Sequence, residues 1–164
     1  MTDVGLNATP ALRRPSSVLV FLLAARPGRS RYLLLRRRAR PELGLPIFWQ
    51  GVSGSLEAGE TPLDAAWREI REETQLVART IVDTGETHRF PIRDEWRNHY
   101  PTDATEITEH LFVAWIDPTA EPRLSNEHED WRWCDEQQAA ELLTFGHNAA
   151  CLRAIERHLD DFQI

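Results

Sequence analysis

Glu69, Glu72 and Glu73 lie within five residues of one another, next to Arg68, in the stretch Gly54-x5-Glu60-x7-Arg68-Glu69-Ile70-x-Glu72-Glu73-x-x-Leu76. At 3.6 residues per turn, a helix gathers these three carboxylates into one sector about 100° wide. Like charges at i,i+4 repel by roughly 0.2–0.5 kcal/mol even when exposed. Such a sector calls for a cation among its side chains. A hard divalent ion, Mg²⁺ or Mn²⁺, bound through a few carboxylates together with substrate phosphates, suits that need. A plain solvated face is the commoner use of an acidic run, so the flanking residues have to decide.

They favour a built site. The segment Gly54-Ser55-Leu56-Glu57-Ala58-Gly59-Glu60 supplies a glycine-bearing loop, and Thr61-Pro62 then starts a helix. Thr61 suits the N-cap and Pro62 the first helical position. Asp64, three residues after the cap, completes a shortened capping box. Leu63, Ala66, Trp67 and Ile70 recur at helical spacing on the opposite side. An apolar stripe therefore anchors the helix while the carboxylates project away from it. Arg68 stands beside the acidic sector and is placed to hold one carboxylate.

This stretch resembles the Nudix box, G-x5-E-x7-R-E-U-x-E-E-x-G-U, where U is a bulky aliphatic residue. Every fixed position matches except one: Gln75 stands where the box usually has glycine. That glycine ends the helix, a place where a positive φ favours glycine over Gln. The departure bears on the turn, not on the ligands. The resemblance implies a mixed β-sheet sandwiched between helices, of the α/β (α+β) type, with a catalytic loop–helix–loop. It implies a metal-dependent hydrolase of phosphoanhydride bonds.

Length and composition are compatible with this. A chain of 164 residues with 41 % hydrophobic content suits one domain with a core of its own. We expect a flexible segment over residues 1–13 and a single domain over 14–164. Nineteen basic against 26 acidic residues leave a net charge of −7, which argues against a nucleic-acid backbone as partner. A polyphosphate substrate would then need metal ions and local arginines to offset the repulsion. Cys134 and Cys151 have neither disulfide-framework nor zinc spacing and read as small buried hydrophobes. The apolar run Ser17–Ala25 is too short to span a membrane and lacks a convincing cleavage region. No membrane partner and a cytoplasmic location are the expectation; the oligomeric state is open.

Along the chain, Ser16–Arg26 and Tyr32–Arg37 read as antiparallel strands joined by a turn at Pro27–Ser30. Pro41–Pro46 reads as loop, Phe48–Ser53 as one short strand, and 61–74 as the helix. Strands are expected at Val77–Thr84, Thr87–Pro91, Ile107–Asp117 and Glu129–Cys134, with Asp94–Ala104 irregular. Asp135 caps a helix over 136–143, and a longer helix occupies 147–160.

Within the Nudix superfamily, further stretches resemble a folate-pathway subfamily of pterin and purine triphosphate pyrophosphohydrolases. They are Arg14–Val20, Phe48–Ser55, Arg97-Asn98-His99-Tyr100 and Asn126-Glu127-His128 before Trp131-x-Trp133. That subfamily tends to lack the box glycine. The resemblance implies cleavage between the α and β phosphates, releasing pyrophosphate and a monophosphate. Another Nudix substrate class (dinucleoside polyphosphate, nucleotide sugar or ADP-ribose) and a non-catalytic Nudix-like binding module are the alternatives.

The same resemblance distributes roles. Glu69, Glu72 and Glu73, the Gly54 carbonyl and Glu127 are implied as metal ligands. Glu72 or Glu127 would take a proton from water, and Arg68 would act with them. Glu60 braces Arg68 or the loop. For Arg36, Arg37 and Arg38 two readings stand, a solvated strand end or a phosphate-facing group, with Arg36 carried as the candidate. Trp49 with Gln50 is the candidate wall for a flat ring. Arg97, His99 and Tyr100 are candidate substrate contacts, against the alternative of an ordinary exposed loop. His128 is as readily a packing or surface histidine as a group that steers a proton.

Overall fold

An unbroken run of apolar residues makes β1 (Ser16–Arg26) the centre of the fold. Val18 to Ala24 are all essentially inaccessible to solvent, so both faces of the strand are covered. The computed structural model describes residues 10–26 and 29–161. Residues 1–9 of the segment expected to be flexible, Pro27 and Gly28 of the expected turn, and residues 162–164 lie outside the described residues.

β1 runs parallel to β6 (Glu106–Trp115) and antiparallel to β2 (Arg29–Arg37). β3 (Phe48–Gln50) and β7 (His128–Cys134) both pair with β2, β4 (Val52–Ser55) pairs with β1, and β5 (Thr80–Pro91) pairs with β6. The result is one seven-stranded mixed sheet. α1 (Pro62–Thr74) packs on one face through Ala65, Ala66 and Ile70, against Val18, Val20, Leu33 and Leu35. α2 (Glu136–Leu142) and α3 (Asn148–His158) cover the other face, where Leu19, Phe21, Tyr32 and Leu34 meet Ala139, Cys151, Leu152 and Ile155. The sheet thus lies between helices, as the sequence led us to expect. Each fully buried Leu, Ile, Val or Phe contributes roughly 1.5–3 kcal/mol, so the period-2 split of β1 between two cores is what sets the layers.

Both expected caps form. Thr61 and Asp64 exchange hydrogen bonds in a capping box, as do Asp135 and Gln138. Gln75 takes the left-handed conformation at the end of α1, with φ 56°, and donates its backbone N–H to the Arg71 carbonyl. Among the described residues it is the one non-glycine with positive φ.

Some boundaries differ, for identifiable reasons. Phe48–Ser53 is not one strand but the two legs of an arch, β3 and β4. β1 and β2 pair from Leu22–Arg26 to Arg29–Leu33 and then part. β3 takes over the edge of β2 at Leu35–Arg37, and β4 takes the edge of β1 at Ser17–Val20. Gly51 sits at the apex, where a Cβ would lie 2.5 Å from the Val20 carbonyl oxygen. Only glycine lets the chain approach so closely. The expected strands at Val77–Thr84 and Thr87–Pro91 are one strand, β5, which starts at Thr80 and shifts register between Asp83 and Thr87, where Gly85 has φ 75°. Val77 is 82 % exposed and outside the sheet. β6 stops at Trp115 rather than Asp117, whose carboxylate instead accepts from the N–H and hydroxyl of Thr119. β2 starts at Arg29 and β7 at His128. Short 3₁₀ helices occupy Pro41–Leu43 and Asp94–His99 inside the expected loops, and Leu159–Asp161 follows α3.

Candidate active site

The capped α1 helix delivers Arg68 to the mouth of the β1–β2 fork, and its guanidinium is fully used. Nε and Nη2 donate to the two Glu60 carboxylate oxygens at 2.6 and 2.9 Å, and Nη2 also reaches the Ser55 carbonyl at 2.9 Å. Nη1 donates to Glu69 at 2.7 Å and to Glu72 at 3.1 Å. The fork geometry of arginine permits this bidentate grip. Glu60 thus takes two of these bonds, and Arg68 holds its carboxyl below the usual range. The loop before the helix is tied as well: the Arg14 guanidinium donates to the carbonyls of Glu57 and Glu60.

Glu69 lies directly over Gly54. A Cβ on Gly54 would come within 2.0 Å of the Glu69 carboxylate, so the first glycine of the motif is needed for space. Burial pushes the Glu69 carboxyl up to about 7, against the pull of Arg68 and with the help of Glu72 and Glu127. Glu73 is 3 % exposed, and neither of its oxygens has a hydrogen-bond partner. Burial first, then the charges of Glu69 and Glu127, raise its carboxyl well above the ordinary value. The Ser53 N–H faces it and works in the other direction, but falls outside hydrogen-bond geometry. His128 stands 3.8 Å from Glu73 with both ring nitrogens unpartnered. Burial and nearby Arg37 press its pKa down to about 4. Both groups are thus driven to their neutral forms, and their proximity is not an ion pair. Of the two readings open for His128, the structure shows a buried residue against the acidic cluster.

Glu127 arrives from outside the motif because its loop caps α1. The backbone N–H groups of Arg123 and Ser125 donate to the carbonyls of Thr74 and Glu73 at 2.8 and 3.1 Å. Those are carbonyls that a helix end leaves without partners. Glu127 itself pairs with Arg37 at 3.6 Å.

A cavity of about 820 Å³ opens at the fork. Gly54, Arg68, Glu69, Glu72 and Glu127 line it, whereas Glu73 and His128 lie behind its lining. Gln50, His99 and Tyr100, all expected near substrate, line it too. Three candidates do not. Trp49 packs toward the α2–α3 core with Arg132 over its ring; alternation along β3 turns its neighbours Phe48 and Gln50 to the cavity instead. Arg36, opposite Trp49 in register, pairs with Glu129, as does Arg38, whereas Arg37 lines the cavity. Arg97 donates to the carbonyls of Pro101 and Ala104 and braces its own loop. Lining residues that sequence reasoning missed include Ser17, Phe48, Glu109, Phe145 and His147. Ser17 and Phe48 fall inside stretches that carried the resemblance but were given no role, Glu109, Phe145 and His147 belong to none, and only the fold brings them together.

Whether the acidic end fits a metal ion can be judged from its donors. Among the described residues, no group of three or more His, Cys, Asp or Glu side chains stands in a metal-holding arrangement, and Arg68 occupies one oxygen each of Glu69 and Glu72. Yet the donors are all oxygens, both Glu73 oxygens are orphaned, and the neighbouring carboxylates raise one another's affinity for protons. Hard divalent ions fit that set.

Comparison with known proteins agrees with the geometry. The NUDIX domain model matches residues 13–154. The chain is 37 % identical over 134 residues to the dihydroneopterin triphosphate diphosphatase of Escherichia coli (strain K12), covering 79 % of this chain and 84 % of that one. The solved structure of the E. coli dihydroneopterin triphosphate pyrophosphohydrolase superposes with a TM-score of 0.68 at 33 % identity, over 87 % of this chain and 95 % of that one. A Myxococcus xanthus octanoyltransferase is 37 % identical over 140 residues, but the match spans 85 % of this chain and only 35 % of that protein. Nudix hydrolases generally use divalent metal ions. The chain belongs to the NUDIX family and is a Nudix hydrolase.

Proposed function

We propose that this chain hydrolyses a pterin or nucleoside triphosphate between its α and β phosphates, releasing pyrophosphate and the monophosphate. The observation that carries the reading is the orphaned, buried Glu73 carboxylate beside Glu69 and Glu127, which line the open cavity. The name of the E. coli relative supports the substrate class. Glu69, Glu72, Glu73, Glu127 and the Gly54 carbonyl would hold Mg²⁺ or Mn²⁺. When bound, such ions neutralise phosphate charge and acidify water.

The remaining work falls to the chain's own residues. Arg68 positions Glu69 and Glu72. The side chains of Glu72 and Glu127 are 54 % and 49 % exposed, so either can take the proton as a water oxygen attacks phosphorus and the bond to the bridging oxygen breaks. Arg13, Arg14, Arg37, Arg40 and Arg93 also border the cavity, which draws a polyanion to a protein of net charge −7. Folate biosynthesis, a cytoplasmic setting and independence from nucleic acid and membrane belong to this same reading. No described helix is long and apolar enough to cross a membrane.

The test is incubation with dihydroneopterin triphosphate, dATP and diadenosine polyphosphates, each with Mg²⁺ or Mn²⁺. Pyrophosphate release from at least one of the two triphosphates is the expected result. Orthophosphate as the product, or turnover of diadenosine polyphosphates alone, would overturn the reading.

A further inference from the structure

Outside the carboxylate helix, the cavity wall is built differently. Glu109 on β6 is 8 % exposed and lies level with Ser17 on β1 in the parallel register. His147, just before α3, stands 2.6 Å from Glu109 Oε1. A carboxylate can only accept, so His147 Nε2 is the donor. That bond raises the His147 pKa, against the effect of burial. His147 is held in turn by stacking on His88, with centroids 4.8 Å apart, and by Phe90. Its bond orients Glu109 and leaves Oε2 for a ligand. Two buried residues lining this cavity also carry a polar atom without a partner: Ser17 Oγ and Gln50 Nε2, in residues that are 8 % and 5 % exposed. Orphaned buried donors of this kind are rare in proteins. The surrounding surface is aromatic: Phe48 stacked on Phe145 at 4.4 Å, then Phe90, Trp96 and Tyr100.

We infer that Glu109, set by His147 and helped by Gln50, is a specificity residue that reads a 2-amino-4-oxopyrimidine edge, the edge that pterin and guanine share. The inference rests on the triphosphatase reading above. A buried carboxylate needs a ligand that donates, and a ring N–H beside an exocyclic amino group offers two donors side by side. Gln50 Nε2 needs an acceptor, which the 4-oxo group supplies. Adenine presents a ring-nitrogen lone pair next to its amino group, and that lone pair would face the Glu109 charge. A site built to bond one partner rejects the analogue that leaves its buried groups unpaired. The flat apolar walls suit either bicyclic ring.

The test is calorimetric titration of the metal-free protein with neopterin, guanosine and adenosine, which lack phosphates and need no turnover. Neopterin and guanosine should bind at least tenfold more tightly than adenosine. Glu109→Gln, an isosteric change, should remove most of that preference, and Gln50→Leu should weaken the first two ligands but not adenosine. Neopterin binding without guanosine binding, or the reverse, would show which ring the walls admit and still support the edge reading. Equal binding of all three ligands to wild type, or an unchanged preference in Glu109→Gln, would overturn it. Failure of the triphosphatase reading is separate: it would show as absent pyrophosphate release, whatever the rings do.

Discussion

The Glu69 carboxylate rests on the α-carbon of Gly54, so closely that a methyl group there would fall 2.0 Å from it. Gly54→Ala must therefore push Glu69 away from Arg68. Overpacking of this type costs about 1–3 kcal/mol. We expect a lower melting temperature together with a large loss of turnover. A variant of wild-type activity would show that Glu69 need not sit there.

Glu73→Gln replaces one carboxyl oxygen by an amide nitrogen and breaks no hydrogen bond, because neither Glu73 oxygen has a partner. Turnover should fall on the order of 10²–10³-fold, the usual loss when one group stabilising transition-state charge is removed. The melting temperature of the metal-free protein should not fall. Near-normal rates with Mg²⁺ would remove Glu73 from the metal set.

Arg68→Lys tests geometry rather than charge. Lysine carries the charge but not the fork that serves Glu60, Glu69, Glu72 and Ser55 at once. Mn²⁺ affinity, read by calorimetry, should weaken about 10–100-fold, as for other groups that orient ligands. An unchanged titration would restrict Arg68 to bracing the loop.

Gln75 adopts φ 56° where glycine has no steric penalty. Gln75→Gly should stabilise the fold by about 0.5–1 kcal/mol, since the left-handed penalty for other residues is roughly 1–2 kcal/mol and glycine gives part of it back as chain entropy. Thermal melting should rise by a few degrees with turnover unchanged. A fall would mean that the Gln75 side chain contributes a contact of its own.

The His147–Glu109 bond links stability to pH. The His147 pKa is raised above 6.5 in the fold, so its contribution is complete below about pH 6.5 and is lost as pH rises through the folded value. Compared with His147→Gln, wild type should have its largest melting-temperature advantage near pH 6, and the gap should narrow toward alkaline pH. A gap independent of pH would show that the pair is not ionised.

The helical half of the site was legible in the chain itself. Thr61, Pro62 and Asp64 announce a helix start through local bonds, and Glu69, Glu72 and Glu73 share a sector by helical geometry alone. The role of Gly54 became physical only when Glu69 was seen to lie over it. Along β2 and β3, sequence put forward Arg36 and Trp49 together with Gln50; the fold turned Gln50, Arg37 and Phe48 to the cavity and Arg36 and Trp49 away from it. Neighbouring strand residues face opposite ways, and nothing local says which side is which.

By itself the chain determined its layers, its carboxylate helix and its family, because caps, helical period and motif spacing act over a few residues. Tertiary structure alone decided where the sheet forks, that Glu127 reaches the acidic cluster by capping α1, and that Ser17, Gln50, Glu109 and His147 line one cavity. Those residues are far apart in sequence, and only strand pairing, which depends on partners elsewhere in the chain, sets which of them meet.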